Sequence, residues 1–183
     1  LRLNTSGTAN AAFGFEANYT NVTGSYNTAI GVQAMYSATT SYNTIMGYAS
    51  VYNMSSGDGV TAVGYSTLPS LTTGGNNIAV GVNAGKTIAT GSNCIYIGQN
   101  STASGPAPNY EIVIGNNNSG GVNGKGSNTA FINANSGGTY NGANGTAWAT
   151  SSDQRIKKNI VSLSDSLTKI NALNPVEFDY KEE

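Results

Sequence analysis

Glycine stands at positions 14, 31, 47, 64, 81, 98 and 115, at intervals of 17, 16, 17, 17, 17 and 17 residues. One residue type returning at a near-constant short period marks a structural unit that is repeated and stacked on its own neighbours. Residues 5–118 therefore read as about seven coils of a single rod.

Aligned on the glycine, each coil shows the same alternation. A bulky apolar residue precedes it: Phe13, Ile30, Met46, Val63, Val80, Ile97 and Ile114. Two places before it, alanine dominates, as Ala12, Ala29, Ala62 and Ala79. Three places after it the side chain is usually small: Ala17, Ala34, Ser50, Thr67, Ala84 and Ser101. Period-two alternation predicts strands with one bulky face and one small or polar face. Thr23-Gly24, Ser56-Gly57, Gly74-Gly75 and Thr90-Gly91 supply turn chemistry between them.

These features predict an all-β solenoid or β-roll, each coil holding two short strands and two bends. At about 4.8 Å per coil, seven coils make a stub roughly 30 Å long. Helical repeats need longer periods, and Gly, Asn, Thr and Ser are poor helix formers. A calcium-binding roll would carry an aspartate in each unit, whereas Asp58 is the only one before residue 150. Small inward residues predict a thin core, and the Ala/Gly face predicts close approach of another backbone. On that reasoning the rod is a parallel homo-oligomer, most simply a homotrimer.

Charge divides the chain. Eight Lys/Arg and nine Asp/Glu are shared among 183 residues, with no His. Only Arg2, Glu16, Asp58, Lys86, Glu111 and Lys125 fall before residue 150. The organisation expected is a repeat region over 1–118, a Gly/Asn-rich β connector over 119–150, and a distinct segment over 151–183. The net charge of −1 gives no basic footprint for nucleic acid, and no apolar run is long enough to span a membrane. The single Cys94 stands in the repeat's Asn column and reads as a small buried residue. The chain has neither an initiator Met nor a signal peptide, which predicts a piece of a longer protein. No cofactor and no metal site are expected.

In the connector, Thr129–Ile132 reads as a strand. Downstream, Leu163, Leu167, Ile170 and Leu173 fall at helical spacing, with Ser164 as N-cap and Pro175 as stop. The run Ser152, Asp153, Arg155, Ile156, Lys157, Asn159 and Ile160, then a Leu-rich helix and Leu173-Asn174-Pro175-Val176-Glu177-Phe178, carries a specific pattern. Over residues 148–183 it resembles the start of the intramolecular chaperone domain of endosialidase-type phage tailspikes, the S74 peptidase family. The upstream repeats resemble those of phage fibres and of the β-roll heads of trimeric autotransporter adhesins.

The resemblance implies a domain that trimerises three chains, drives folding of an intertwined fibre, and removes itself by autoproteolysis at Ser152–Asp153. Ser152 would be the nucleophile and Lys157 the base, because a hydroxyl needs a nearby amine held neutral by desolvation. Asp153, Arg155 and Asn159 match the motif, the last two in structural roles. Family members run on well past the position of Glu183, and that further part supplies helices that clasp the partner chains. The matching segment therefore holds the cleavage motif without the whole chaperone.

The expected function is a structural and adhesive segment of a phage tail fibre or tailspike, in the virion, facing a glycan receptor on the host surface. The alternative is a bacterial surface adhesin or extracellular filament without self-cleavage. Tyr26 and Tyr42 sit near a bend and are the receptor-binding candidates; Tyr48 and Tyr65 fall at the bulky strand position and are expected to be packed. The Asn column (Asn10, Asn27, Asn43, Asn77) is expected to bond to backbone rather than hold an axial ion. A polysaccharide hydrolase would need paired carboxylates, and Glu16, Asp58 and Glu111 are the only ones before residue 150. An ice-binding array is too short: Thr28, Thr44 and Thr61 give way to Ile78, Ile95 and Ile112.

Overall fold

The computed structural model describes residues 1–116, 121–134, 137–141 and 149–150. Its centre is one ladder of short parallel strands, a single rung per coil. The rungs are β1 (Ala11–Phe13), β2 (Thr28–Ile30), β3 (Thr44–Met46), β4 (Thr61–Val63), β5 (Ile78–Val80) and β6 (Ile95–Ile97). A two-residue strand β7 (Ser101–Thr102) precedes the next rung, β8 (Ile112–Asn116). Further on lie β9 (Val122–Asn123), β10 (Ala130–Ala134), β11 (Gly137–Asn141) and β12 (Ala149–Thr150). The order is β1-β2-β3-β4-β5-β6-β8-β10-β11-β12, with β7 and β9 paired apart. The fold is thus the all-β solenoid of about seven coils that the glycine period predicts. Equivalent residues pair across coils, as in Thr61↔Ile78 and Val63↔Val80.

Two details differ from expectation. Coils one to five hold one regular strand each rather than two. The rest of each coil is an arc in which non-glycine residues adopt left-handed φ at fixed places, such as Gln33 (+55°), Met35 (+54°), Val51 (+50°) and Leu68 (+47°). The arcs still bond coil to coil, for example Gln33 N–H to Phe15 O at 2.8 Å and Met35 N–H to Ser50 O at 2.9 Å. The parallel ladder also runs on past residue 118, because β10 pairs in parallel with β8 at Ala130↔Ile112. Beyond it, β11 and β12 continue the sheet antiparallel.

The single 16-residue interval is absorbed at a bend. Thr40 O accepts from Asn27 Nδ2 at 2.6 Å, as Gly24 O accepts from Asn10 Nδ2 at 2.7 Å. The bend before Thr40 is therefore one residue shorter than the bend before Gly24, and the strands stay in register as Thr28↔Thr44.

The small face of each strand turns into the coil's own interior. Ala29, Ile45, Ala62, Ala79, Tyr96 and Val113 at the strand centres are fully buried. The left-handed arc folds Met35, Val51 and Leu68 inward, and Met54, Leu71 and Ile88 are buried too. The core is therefore fuller than the alanine column suggests. Volume is balanced across coils: where the strand centre becomes Tyr96, the arc residue becomes Gly85, whose missing Cβ would collide with Leu68 Cδ2 and stand 3.1 Å from the Tyr96 ring.

This corrects the expected role of the Ala/Gly face. A backbone does approach it closely, but that backbone is the next coil of the same chain. A Cβ on Gly64 would meet Gly81 O at 2.7 Å and Gly81 C at 2.8 Å. Another copy therefore cannot reach the buried alanines Ala29, Ala62 and Ala79.

Candidate functional site

The other face of the ladder points outward. Before the glycines stand Phe13 (77% exposed), Ile30, Met46, Val80 and Ile97, all exposed, with Val63 and Ile114 half-buried and Ile132 exposed at the matching place on β10. After the glycine stand Phe15, Val32, Tyr48, Tyr65 and Val82, also exposed. Tyr48 and Tyr65 are 49% and 54% exposed, so the expectation that they are packed is wrong for the single chain. They sit on the bulky face, which no described residue covers. Their rings stack on one another at 5.3 Å. At the far end, Ile97, Ile114, Ile132 and the glycines between them line an apolar groove of about 530 Å³. Exposed apolar residues thus recur along this face beside Thr28, Thr44 and Thr61, and large exposed apolar patches mark interaction surfaces.

Tyrosines form further ladders along the rod. Tyr19, Tyr36 and Tyr52 stack at 5.3 and 4.8 Å, and Arg2 lies over the Tyr19 ring at 5.7 Å. The receptor-binding candidates Tyr26 and Tyr42 are 57% and 64% exposed and stack at 5.2 Å with planes 5° apart. Stacking hides the faces between them and leaves ring edges and the outermost faces available.

The Asn column forms an internal ladder. Asn27 Oδ1 accepts from Asn43 N–H at 3.0 Å while Asn27 Nδ2 donates to Thr40 O. Asn77 does the same between Cys94 N–H (3.0 Å) and Gly91 O (2.8 Å). Both ends of these amides are engaged with the chain, as turn and ladder residues require. Cys94 is fully buried in the same column, and burial pushes its thiol pKa up.

Glu111 also stands in that column, fully buried, and its network was not foreseen from sequence. Its Oε2 accepts from Tyr96 Oη at 3.0 Å and Ser104 N–H at 3.2 Å, and its Oε1 from Gly126 N–H at 2.8 Å. A side chain on Gly124 would collide with this carboxylate. Burial, with Cys94 and Glu111 alongside, raises the Tyr96 phenol far above its ordinary pKa. The three carboxylates are engaged separately, since Glu16 accepts from Gln33 Nε2 at 2.8 Å and Asp58 from Ser41 N–H at 2.7 Å. The sequon asparagines Asn18 and Asn21 are both fully buried.

Ser152, Asp153, Arg155, Lys157 and Asn159, and the helix expected over residues 163–173, lie outside the described residues. Among the described residues no group of His, Cys, Asp or Glu is placed to hold a metal ion. Among them, too, no helix is long and apolar enough to cross a membrane.

Comparison with known proteins bears on the tail. The family model described as the chaperone of endosialidase, peptidase S74, matches residues 152–183. That is the stretch whose motif carries the resemblance. A search of curated proteins and a search of solved structures each gave no match.

Proposed function

We propose that this chain is a structural and adhesive segment of a trimeric phage tail fibre or tailspike, matured by a C-terminal chaperone that cuts itself away. The observation that carries the reading is one chain holding both a β-solenoid with an outward apolar face and, at 152–183, a match to the endosialidase chaperone family. A chaperone of that family is useful to a chain whose folded form needs its copies. The apolar face is such a need: three copies packed about one axis would cover Met46, Val63, Val80 and Ile97 and leave the polar bends outside. Area removed from water is worth about 25 cal/mol per Å², so covering a face seven rungs long is a strong drive to associate.

In this reading Ser152 Oγ is the nucleophile, Lys157 takes its proton and passes it to the Asp153 amine as the Ser152–Asp153 bond breaks, and water hydrolyses the resulting ester to release the tail. The mature rod belongs to the virion and meets a glycan on the host surface. Subunit mass tests the maturation step. The parent should yield subunits ending at Ser152, and Ser152→Ala and Lys157→Ala should yield full-length ones. Uncut parent subunits would overturn the self-cleaving reading in favour of the uncleaved adhesin or filament.

A further inference from the structure

We infer that coils three to five carry a sugar-binding notch, built by Tyr42, Asp58, Gly59 and Asn76 where two side-chain ladders are interrupted by glycine. The inference rests on the adhesive reading above and assigns it a site.

The first ladder lies six residues before each repeat glycine. There a backbone N–H is met by a side chain from the next coil. Thr8 N–H reaches Ser25 Oγ (3.0 Å), Ser25 N–H reaches Ser41 Oγ (3.1 Å) and Ser41 N–H reaches Asp58 Oδ1 (2.7 Å). Gly75 N–H reaches Ser92 Oγ (3.2 Å), and Ser92 N–H reaches Asn109 Oδ1 (2.9 Å). The pattern fails once. The residue that would serve Asp58 N–H is Gly75, which has no side chain, and that N–H meets no acceptor among the described residues.

The second ladder is the neighbouring column: Tyr26, Tyr42, Gly59, Asn76. Tyr26 and Tyr42 stack at 5.2 Å, about the rise of one coil. Where the next ring would lie, Gly59 leaves a gap one ring high against the second face of Tyr42. Asn76 reaches into the edge of the gap: its Oδ1 lies 2.6 Å from where a Gly59 Cβ would stand, while its Nδ2 donates to Asn93 Oδ1 at 3.4 Å.

Both interruptions fall in adjacent coils. Together they present an exposed aromatic face, an N–H donor, the Oδ2 of a carboxylate whose Oδ1 alone is bonded, and an amide. A pyranose ring matches this set. Its C–H face lies on the tyrosine, and its rim of hydroxyls can donate to Asp58 and accept from the Asp58 N–H. A hard cation would need six or more oxygen ligands, and one carboxylate stands here. An apolar peptide side chain would leave the donor and the carboxylate unused.

Gly59→Tyr offers a direct test, because it fills the gap by continuing the column. Gly59 has φ +73°, close to the +59° and +62° that Tyr26 and Tyr42 already adopt. The obstacle is the exposed end of Asn76, which can swing aside. The full-length parent, Gly59→Tyr and Tyr42→Ala would be titrated with methyl hexosides, methyl N-acetylhexosaminides and bacterial surface polysaccharide, read by saturation-transfer NMR and by retention on immobilised polysaccharide.

The expected result is saturation transfer to sugar ring protons by the parent and at least tenfold weaker binding by both variants, with Gly59→Tyr melting at or above the parent temperature. Sugar binding unchanged in both variants would overturn the notch while leaving the adhesive reading in place. No binding of any sugar by the parent would overturn both the notch and glycan adhesion. Retention of host cells by a protein component alone would overturn the notch as well.

Discussion

Gly64→Ala perturbs the glycine column at mid-rod, where its effect can be worked from the structure. Gly64 has φ +137°, a backbone conformation that side-chain-bearing L residues rarely adopt, and such strain costs about 1–3 kcal/mol. The added Cβ would also stand 2.7 Å from Gly81 O and 2.8 Å from Gly81 C, both backbone atoms that cannot rotate away. Relief requires the two coils to part. That loosens Gly81 N–H to Val63 O (2.9 Å) and Asn83 N–H to Tyr65 O (2.9 Å), each worth about 0.5–1.5 kcal/mol. The sum is roughly 2–6 kcal/mol, and at about 2–4 °C per kcal/mol the melting temperature should fall by on the order of 10 °C. Gly105→Ala is the internal control, since a Cβ there meets nothing within 4 Å. Circular dichroism melts of parent and both variants decide it. A Gly64→Ala protein melting with the parent and with Gly105→Ala would refute the reasoning.

Asn18 is fully buried with neither amide atom partnered, in the column occupied elsewhere by Met35, Val51 and Leu68. Asn18→Leu should therefore stabilise the rod by about 1 kcal/mol, measured by urea unfolding; a loss of stability would contradict this. Glu111→Ala strands the donors on Tyr96, Ser104 and Gly126 and should cost about 3 kcal/mol or more, with Glu111→Gln costing less because one oxygen still accepts. Equal stability of all three proteins would remove the carboxylate from the account. Cys94 should resist alkylation until the chain unfolds, because it is fully buried and its thiol pKa is raised. Its unfolded pKa is about 8.5, so its contribution is whole below that pH and declines as pH rises through it toward the folded value. Unfolding titrations at rising pH should show that decline, flattened in Cys94→Ala.

The coil period was legible because only glycine allows successive backbones to approach so closely, which leaves a mark at every turn. The strand was legible from alternation through Thr28-Ala29-Ile30 and its equivalents. Which face lies inside was not legible. Alternation separates Ala29 from Ile30 without saying where the chain bends back, and that is decided by left-handed residues such as Gln33, Met35 and Val51. None of these types advertises the conformation. Glu111 was visible only as one carboxylate among three, because its cage comes from Gly124 and Gly126 beyond the regular repeat. The exposure of Tyr26 and Tyr42 was legible from their place at a bend. The notch beside Tyr42 was not, since it exists as two missing side chains and shows only when columns are set side by side.

Native mass spectrometry of the purified full-length chain tests the central claim, that the outward apolar face is covered by copies of the same rod. The account predicts three subunits per particle, either 18.7 kDa each or shortened to end at Ser152. A monomer that stays soluble with Met46, Val80 and Ile97 in water would contradict it.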